Sequence, residues 1–192
     1  TMDMDLQQFV SQLMQEYTGS VVIMELSRGG IMALYSSPSY DPNIFVQPVE
    51  GDTSVSDILR DENKPLLNRA LAGEYPPGST FKMVTSYAGL FYDKITEGVQ
   101  FFCPGHIELG SYRFNCWKRS GHGAQNLVEA LTHSCNVYFW NIALKMNIRD
   151  FMQIARSFGL GVRTDIDLPS EKKGLAPTPE WKRKTFHQGW YR

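Results

Sequence analysis

The residues of this sequence best suited to chemistry are a serine and a lysine, Ser79 and Lys82. Pro77 and Gly78 directly precede them and favour a turn, so Ser79 is expected at a helix N-terminus and Lys82 one turn later on the same face. A serine hydroxyl is a poor nucleophile until a base takes its proton, and a lysine serves as that base when burial or nearby positive charge lowers its pKa. The spacing therefore indicates a nucleophile and its base, with free helix-start amides near a developing oxyanion.

A second candidate is the tripeptide Ser134-Cys135-Asn136, which falls within a strongly helical stretch. Each motif alone also fits an ordinary helix cap, with Lys82 in solvent. Their occurrence together favours an active site.

Three cysteines and a histidine form a third candidate: Cys103, Cys116, His122 and Cys135. All the cysteines fall within 33 residues, spaced with the histidine as C-x12-C-x5-H-x12-C. Three thiolates and one imidazole suit a structural zinc ion. Because this is not a zinc-finger spacing, spacing alone favours ordinary buried thiols, and one disulfide with one free thiol is also open. His106 and His133 are the alternative imidazoles.

The elements that must position these residues follow from hydrophobic periodicity and turn signals. Helices are predicted at residues 1–19, 64–71, 79–95, 126–146 with a break near Ser134, and 148–158; strands at 20–26 and 31–35, joined by a hairpin turn; loops at 36–50, at 101–123 and over about the last 25 residues. Strands followed by helices indicate an α/β or α+β fold, with an antiparallel sheet and a helical lobe.

Composition excludes several classes of function. The chain has 192 residues, a net charge of -1 and 42% hydrophobic residues, which gives no sign of a nucleic-acid or polyanionic partner. No apolar run approaches a membrane span and no signal peptide opens the sequence, so any membrane anchor of the parent protein would lie outside these residues.

The motif at residues 75–82 (Tyr-Pro-Pro-Gly-Ser-Thr-Phe-Lys), followed by Ser-x-Asn at 134–136, resembles the penicillin-binding protein and serine β-lactamase superfamily. Further stretches are similar to class B penicillin-binding proteins, in particular the elongation-type group called penicillin-binding protein 2. They are residues 1–7 (Thr-Met-Asp-Met-Asp-Leu-Gln), 37–43 (Ser-Pro-Ser-Tyr-Asp-Pro-Asn), 116–123 (Cys-Trp-Lys-Arg-Ser-Gly-His-Gly) and 186–191 (Phe-His-Gln-Gly-Trp-Tyr).

This resemblance implies a peptidoglycan D,D-transpeptidase that β-lactams acylate. Ser79 would be the acylated nucleophile and Lys82 its base. Ser134 would relay a proton to the leaving group, and Asn136 would hydrogen-bond the substrate peptide or a β-lactam side chain. Residues 1–192 would be part of the transpeptidase domain, with the helix and first sheet strands at 1–50 and the helical lobe at 51–192.

The resemblance also implies partners, a location and a metal. Zinc-carrying members of the elongation-type group place ligands at positions corresponding to Cys103, Cys116, His122 and Cys135, and no organic cofactor is expected. The partners would be peptidoglycan stem peptides, β-lactam antibiotics and a membrane glycosyltransferase of the elongation machinery. The parent protein would be anchored in the bacterial inner membrane, with this domain in the periplasm.

One family motif is missing. Members also carry Lys-Thr-Gly or Lys-Ser-Gly on a strand near the C-terminal end of the domain, and neither tripeptide follows Asn136. Lys172-Lys173-Gly174 lacks the central hydroxyl residue. The sequence is therefore expected to be incomplete at its C-terminal end and inactive alone. A serine β-lactamase relative and a non-catalytic β-lactam sensor are the alternatives, although no deacylating base is evident.

Overall fold

The computed structural model describes residues 2–46 and 55–190, which belong to two compact units. One unit comprises Thr1–Tyr75 with Asp165–Lys172, and the other Pro76–Thr164 with Lys173–Arg192. The division into 1–50 and 51–192 stays a prediction. All the predicted site residues lie in the second unit. Among the described residues, none of the helices has the length and apolar character needed to cross a membrane.

The first unit is a helix packed on a hairpin. Its elements are α1 (Met4–Leu13), β1 (Gly19–Glu25), β2 (Gly30–Ser37), α2 (Val55–Arg60) and α3 (Arg69–Ala72). The strands are antiparallel, with Val21 opposite Tyr35. The Gln7 side chain donates to the carbonyl of Leu34 and accepts from its amide, both at 2.9 Å, so α1 is fixed to β2 by a bidentate bond as well as by packing.

The second unit contains five α-helices and four short strands among the described residues. They are α4 (Phe81–Phe91), β3 (Phe101–Cys103), β4 (His106–Leu109), β5 (Tyr112–Asn115), β6 (Gly123–Gln125), α5 (Leu127–Thr132), α6 (Asn136–Leu144), α7 (Ile148–Ser157) and α8 (Pro179–Phe186). β3 pairs with β6 and β4 with β5, both antiparallel. The β3–β6 pairing sets Cys103 opposite Gly123, the residue after His122.

The core of the second unit brings the sequence-distant cysteines together. Cys103, Cys116 and Cys135 are all at most 1% exposed and pack with Tyr138 and Ile142 in one cluster. The Tyr138 hydroxyl donates to the carbonyl of Val99 at 2.9 Å, which satisfies the polar group of this buried ring. A metal site at the cysteines would therefore lie inside the core.

Several predicted elements are confirmed. The first helix and both strands form, and the break near Ser134 separates α5 from α6. The helix at 148–158 forms as α7 and ends before Gly159, which has a φ of +83°. The helix predicted at 79–95 begins with a 3₁₀ turn at Gly78–Thr80 and stops at Phe91, shortly before Asp93 with its φ of +51°.

Other predictions are wrong. The helix at 64–71 forms only from Arg69 to Ala72, because Lys64 has a left-handed φ of +50° and Pro65 cannot donate to a preceding turn. The predicted loop at 101–123 contains β3, β4 and β5 as well as the start of β6, and the loop-like end contains α8 with Thr178 as its cap. Helix α2 was not predicted. The loop at 36–50 holds a 3₁₀ helix at Pro42–Phe45, and positions 1, 47–50, 191 and 192 of the predicted segments lie outside the described residues.

Candidate active site

The turn before α4 presents the candidate nucleophile. Gly78 has a φ of +56°, a conformation that favours glycine, and leads into the 3₁₀ turn that contains Ser79. Lys82 then falls in the first turn of α4. The Pro-Gly pair thus exposes the Ser79 hydroxyl while the lysine side chain runs into the partly buried interior.

Ser134 occupies an unusual helix end. The amide of Ser134 donates to the carbonyl of Leu131 at 3.1 Å, and the amide of Cys135 donates to that of Ala130 at 2.9 Å. These two bonds form a Schellman motif, in which the left-handed position is usually glycine. Ser134 takes that position with a φ of +50°. Helix α6 starts immediately afterwards, at Asn136.

The two motifs meet at the lysine amine. Lys82 Nζ donates to Ser134 Oγ at 2.8 Å, to the Ser134 carbonyl at 2.6 Å and to Asn136 Oδ1 at 2.7 Å. Ser134 Oγ in turn donates to Ser79 Oγ at 3.0 Å. The structure therefore brings together all four residues predicted to be catalytic, and the Ser134 hydroxyl lies between the lysine and the nucleophile.

The surroundings of Lys82 act on the pKa of its amine in opposite directions. Burial lowers the pKa of Lys82 below its ordinary value, while the Cys116 and Cys135 thiols act in the opposite direction. The Phe139 ring lies 5.6 Å from Nζ and contributes to that partial burial. A lysine of this kind is suited to the role of a base.

The four predicted metal ligands also converge. Their candidate donor atoms lie within 4.8 Å of one another. His122 Nδ1 is 3.5 Å from Cys103 Sγ and 3.6 Å from Cys116 Sγ. Zinc bonds of about 2.3 Å to sulfur and about 2.0–2.1 Å to nitrogen, at tetrahedral angles, place sulfur and nitrogen ligands about 3.5–3.6 Å apart. The donor set and these two sulfur–nitrogen distances fit a tetrahedral zinc ion.

The four candidate ligands differ in how readily they lose a proton. Burial raises the pKa of Cys135 to about 12. Burial acts in the same direction on Cys116, but the amides of Asn136 and Val137 at the start of α6 hold the pKa of that thiol below its ordinary value. Burial, and then the positive charge of Lys118, lowers the pKa of His122. Cys116 and His122 thus readily present a thiolate and a neutral imidazole, whereas Cys135 needs a cation to lose its proton.

The alternative imidazoles lie outside this group of four, as far as the described residues show. His106 Nδ1 accepts a hydrogen bond from Arg113 at 3.1 Å. His133 stacks on the His122 ring with its own Nδ1 bonded to Gln125 Oε1 at 2.6 Å. Buried His122 Nε2 has no hydrogen-bond partner among the described residues, which suits an imidazole whose other nitrogen, Nδ1, faces the sulfurs.

Gly121→Ala is expected to destabilise the protein more than the matched control Gly123→Ala. Both glycines have a left-handed φ, +81° and +73°, so the backbone strain is similar. A Cβ at Gly121 would lie 2.3 Å from the carbonyl oxygen of Cys103, whereas one at Gly123 meets nothing within 4 Å. Such crowding adds about 1–3 kcal/mol. Urea unfolding of both variants measures the difference, and equal stabilities would contradict it.

Sequence reasoning missed the supports of the Ser134 loop, namely Gln125 and the indole of Trp117. Trp117 Nε1 donates to the His133 carbonyl at 3.0 Å, and buried Gln125 bonds the His133 ring. Neither residue type signals such a role by itself, although the position of Trp117 directly after Cys116 places it near the cluster.

The fold is that of the penicillin-binding transpeptidases, as solved structures of that class show. Penicillin-binding protein 2 of Helicobacter pylori, solved in complex with MreC, is 34% identical, has a TM-score of 0.93, and is matched over 100% of this chain and 36% of that chain. The Pseudomonas aeruginosa PBP2, solved with WCK 5153, is 36% identical with a TM-score of 0.88, over 99% of this chain and 43% of that one.

Residues 19–190 match the family of the penicillin binding protein transpeptidase domain, and the chain belongs to that family. The peptidoglycan D,D-transpeptidase MrdA of Acinetobacter baumannii is 40% identical over 99% of this chain, and that of Escherichia coli K12 is 39% identical over 100%. The chain spans 28% and 30% of the lengths of these relatives. The predicted fold and family are therefore confirmed.

Proposed function

We propose that this chain carries the nucleophile of a peptidoglycan D,D-transpeptidase. Ser79 is that nucleophile, and the reaction is an acyl transfer through an ester on its hydroxyl. The observation that carries the proposal is the continuous hydrogen-bonded path from Ser79 Oγ through Ser134 Oγ to Lys82 Nζ. The MrdA relatives carry the same activity in their names.

The geometry suggests a route for the proton. In the state described, Lys82 donates three hydrogen bonds, as an ammonium does. After loss of one proton, two N–H groups still serve the Ser134 carbonyl and Asn136 Oδ1, and the lone pair faces the Ser134 hydroxyl. Ser134 then passes its proton to Lys82 as it accepts that of Ser79. In this proposal the predicted base acts through Ser134.

The same path serves both halves of the reaction. Ser79 Oγ attacks the carbonyl of the penultimate D-Ala, an ester forms, and the terminal D-Ala leaves with a proton returned through Ser134. The amine of a second stem peptide then attacks the ester and gives up its proton along the path as Ser79 leaves. With a β-lactam the ring C–N bond opens instead, and the leaving group stays attached to the acyl-enzyme.

Labelled penicillin tests the proposal in the complete transpeptidase domain. We expect rapid, stable acylation, a mass adduct on the Ser79 peptide, and cross-linking of pentapeptide substrates. Rapid hydrolysis of the label would instead indicate a β-lactamase. Stable acylation without cross-linking would indicate a sensor. An adduct on a residue other than Ser79 would refute the assignment.

The rate of acylation is expected to rise with pH and to level off at a lower pH than an ordinary lysine would give. The neutral amine is the reactive form, and burial of Lys82 shifts its titration in that direction. The second-order acylation constant measured across pH tests this. A profile whose midpoint lies at or above the ordinary lysine pKa would contradict a role for Lys82 as the buried base.

A polypeptide of these 192 residues alone is expected to react poorly with penicillin. The family resemblance assigns half of the oxyanion hole and the carboxylate-binding site to the Lys-Thr-Gly strand, and that tripeptide does not follow Asn136. Loss of one oxyanion donor costs about 10²–10³ in rate in other enzymes. Comparison with the complete domain measures the deficit, and equal rates would show that this strand is dispensable.

Zinc binding by Cys103, Cys116, His122 and Cys135 is the second part of the proposal. A bound zinc ion would neutralise the negative charge of the buried thiolates. It would thereby link the segments of the chain that carry the four ligands. Cys135 lies inside the Ser-x-Asn tripeptide, so its fixation in the core holds Ser134 and Asn136 in place. The convergence of four donor atoms supports this assignment.

The partners and location are proposed from the relatives. The Helicobacter pylori neighbour was solved with MreC, and another relative, with a TM-score of 0.78, in a peptidoglycan synthase complex that coordinates polymerization and crosslinking. We infer that the parent protein works with a membrane glycosyltransferase on peptidoglycan stem peptides. That work would place it at the bacterial inner membrane, with this domain in the periplasm. Co-purification of the glycosyltransferase with the tagged parent protein tests this.

A further inference from the structure

His133 is held on three sides although it belongs neither to the proton path nor to the group of four ligands. Its carbonyl accepts a hydrogen bond from Trp117 Nε1 at 3.0 Å. Its ring Nδ1 is 2.6 Å from Gln125 Oε1. Its ring also stacks on His122 at 5.9 Å between centroids, with only 11° between the planes. Two contacts of an exposed ring and one of the backbone carbonyl suggest a role beyond filling space.

The direction of the Gln125 contact is fixed by the other bonds of that side chain. Gln125 is 5% exposed, and its Nε2 donates to the carbonyls of Ala124 at 2.8 Å and His122 at 3.2 Å. Its Oε1 must therefore accept, and His133 Nδ1 must carry the proton. Because Gln125 ends β6, which pairs with β3, the His133 ring is tied to that sheet through a buried side chain.

These contacts control the conformation of the next residue. The φ of Ser134 depends on the orientation of the peptide plane between His133 and Ser134. The N–H of that plane donates to Leu131, and its carbonyl accepts from Trp117. Both ends of the plane are thus fixed while Ser134 stays at a φ of +50°, which a non-glycine residue rarely adopts.

We propose that His133, Gln125 and Trp117 form a positioning clamp that keeps the Ser134 hydroxyl between Ser79 and Lys82. The clamp rests on the proposed acyl-transfer function, since its purpose is to maintain that proton path. The clamp residues are not among the four candidate metal ligands. The Ser134 loop is therefore held at His133 by hydrogen bonds and at Cys135 by the thiol cluster. The clamp residues position Ser134 and need no contact with substrate.

Conservative variants in the complete domain test the clamp. In His133→Asn the side-chain amide nitrogen can take the place of Nδ1 and donate to Gln125 Oε1. In His133→Gln the amide nitrogen lies one bond further from the backbone than Nδ1 does. Trp117→Phe keeps an aromatic ring and removes the N–H donor. We expect Trp117→Phe and His133→Gln to lower the second-order acylation constant about tenfold or more, and His133→Asn to restore most of it. Trp181→Phe, a tryptophan of α8, serves as the matched control and should acylate normally.

Metal content and melting temperature separate positioning from folding. The clamp predicts slow acylation with metal content and melting temperature close to those of the wild type. Normal acylation in both Trp117→Phe and His133→Gln would overturn it, as would equal losses in His133→Asn and His133→Gln, or losses that follow metal content. If the wild-type domain itself is not acylated on Ser79, the proposed function fails, an outcome distinct from failure of the clamp alone.

Discussion

Ser79→Ala in the complete domain should abolish acylation by penicillin. The substitution removes the nucleophile, and in another serine acyl-transfer enzyme the equivalent loss costs on the order of 10⁶ in rate. Intact-protein mass spectrometry after incubation with penicillin detects the adduct. An adduct that persists in this variant would place the nucleophile elsewhere.

Ser86→Ala is the matched control. Ser86 lies on the same helix α4, but its hydroxyl donates to the backbone carbonyl of Lys82 at 2.8 Å and takes no part in the path to Ser79. Acylation should therefore stay near the wild-type rate. Lys82→Ala should be almost as damaging as Ser79→Ala, and the double variant no worse, because residues on one proton path fail together.

Removal of zinc should lower the melting temperature sharply. A ligand present at about 1,000 times its Kd stabilises the folded state by about 4 kcal/mol. For a chain of this size that corresponds to roughly 8–16 °C. Calorimetry with and without a chelator, together with elemental analysis, measures the effect. Chelator-free protein without stoichiometric metal would refute the site, as would a disulfide between two of the cysteines in non-reducing peptide mapping.

Individual ligand variants should differ in what they impair. Cys116→Ser should act mainly on stability, since the serine oxygen can still accept the hydrogen bonds that the amides of Asn136 and Val137 make to the Cys116 sulfur. Cys135→Ser should also slow acylation in the complete domain, because the neighbouring Ser134 and Asn136 lose their anchor. His106→Ala is the control for His122→Ala, since His106 bonds Arg113 and lies outside the ligand group. It should keep its zinc.

Local chemistry explains which features could be predicted. Ser79 and Lys82 are three positions apart on one helix start, so their relation needs no tertiary information. The break at Ser134 was visible because hydroxyl and amide residues interrupt a helical pattern. These predictions depend on contacts within one or two turns.

Long-range pairing explains what could not be predicted. The approach of Cys103 to His122 depends on the antiparallel pairing of β3 with β6, two three-residue strands with no clear alternation. The turn of Lys82 Nζ towards Ser134 and Asn136 depends on how α4 packs against α6 across 52 to 54 residues of sequence. The left-handed φ of Lys64 keeps the predicted helix at 64–71 from starting at that residue, and no glycine in the sequence signals this conformation.

At Ser134, just after the end of α5, the residue that would make the fold most stable differs from the residue that the proton path needs. Glycine would relieve the left-handed backbone at Ser134, where an L-residue is disfavoured by about 1–2 kcal/mol. It would also delete the hydroxyl that links Ser79 to Lys82. The folded protein is therefore less robust at this point than its backbone alone would allow. Selection for thermal stability alone should therefore favour glycine at position 134. The selected variant would be more stable but would lack the hydroxyl that the proton path needs.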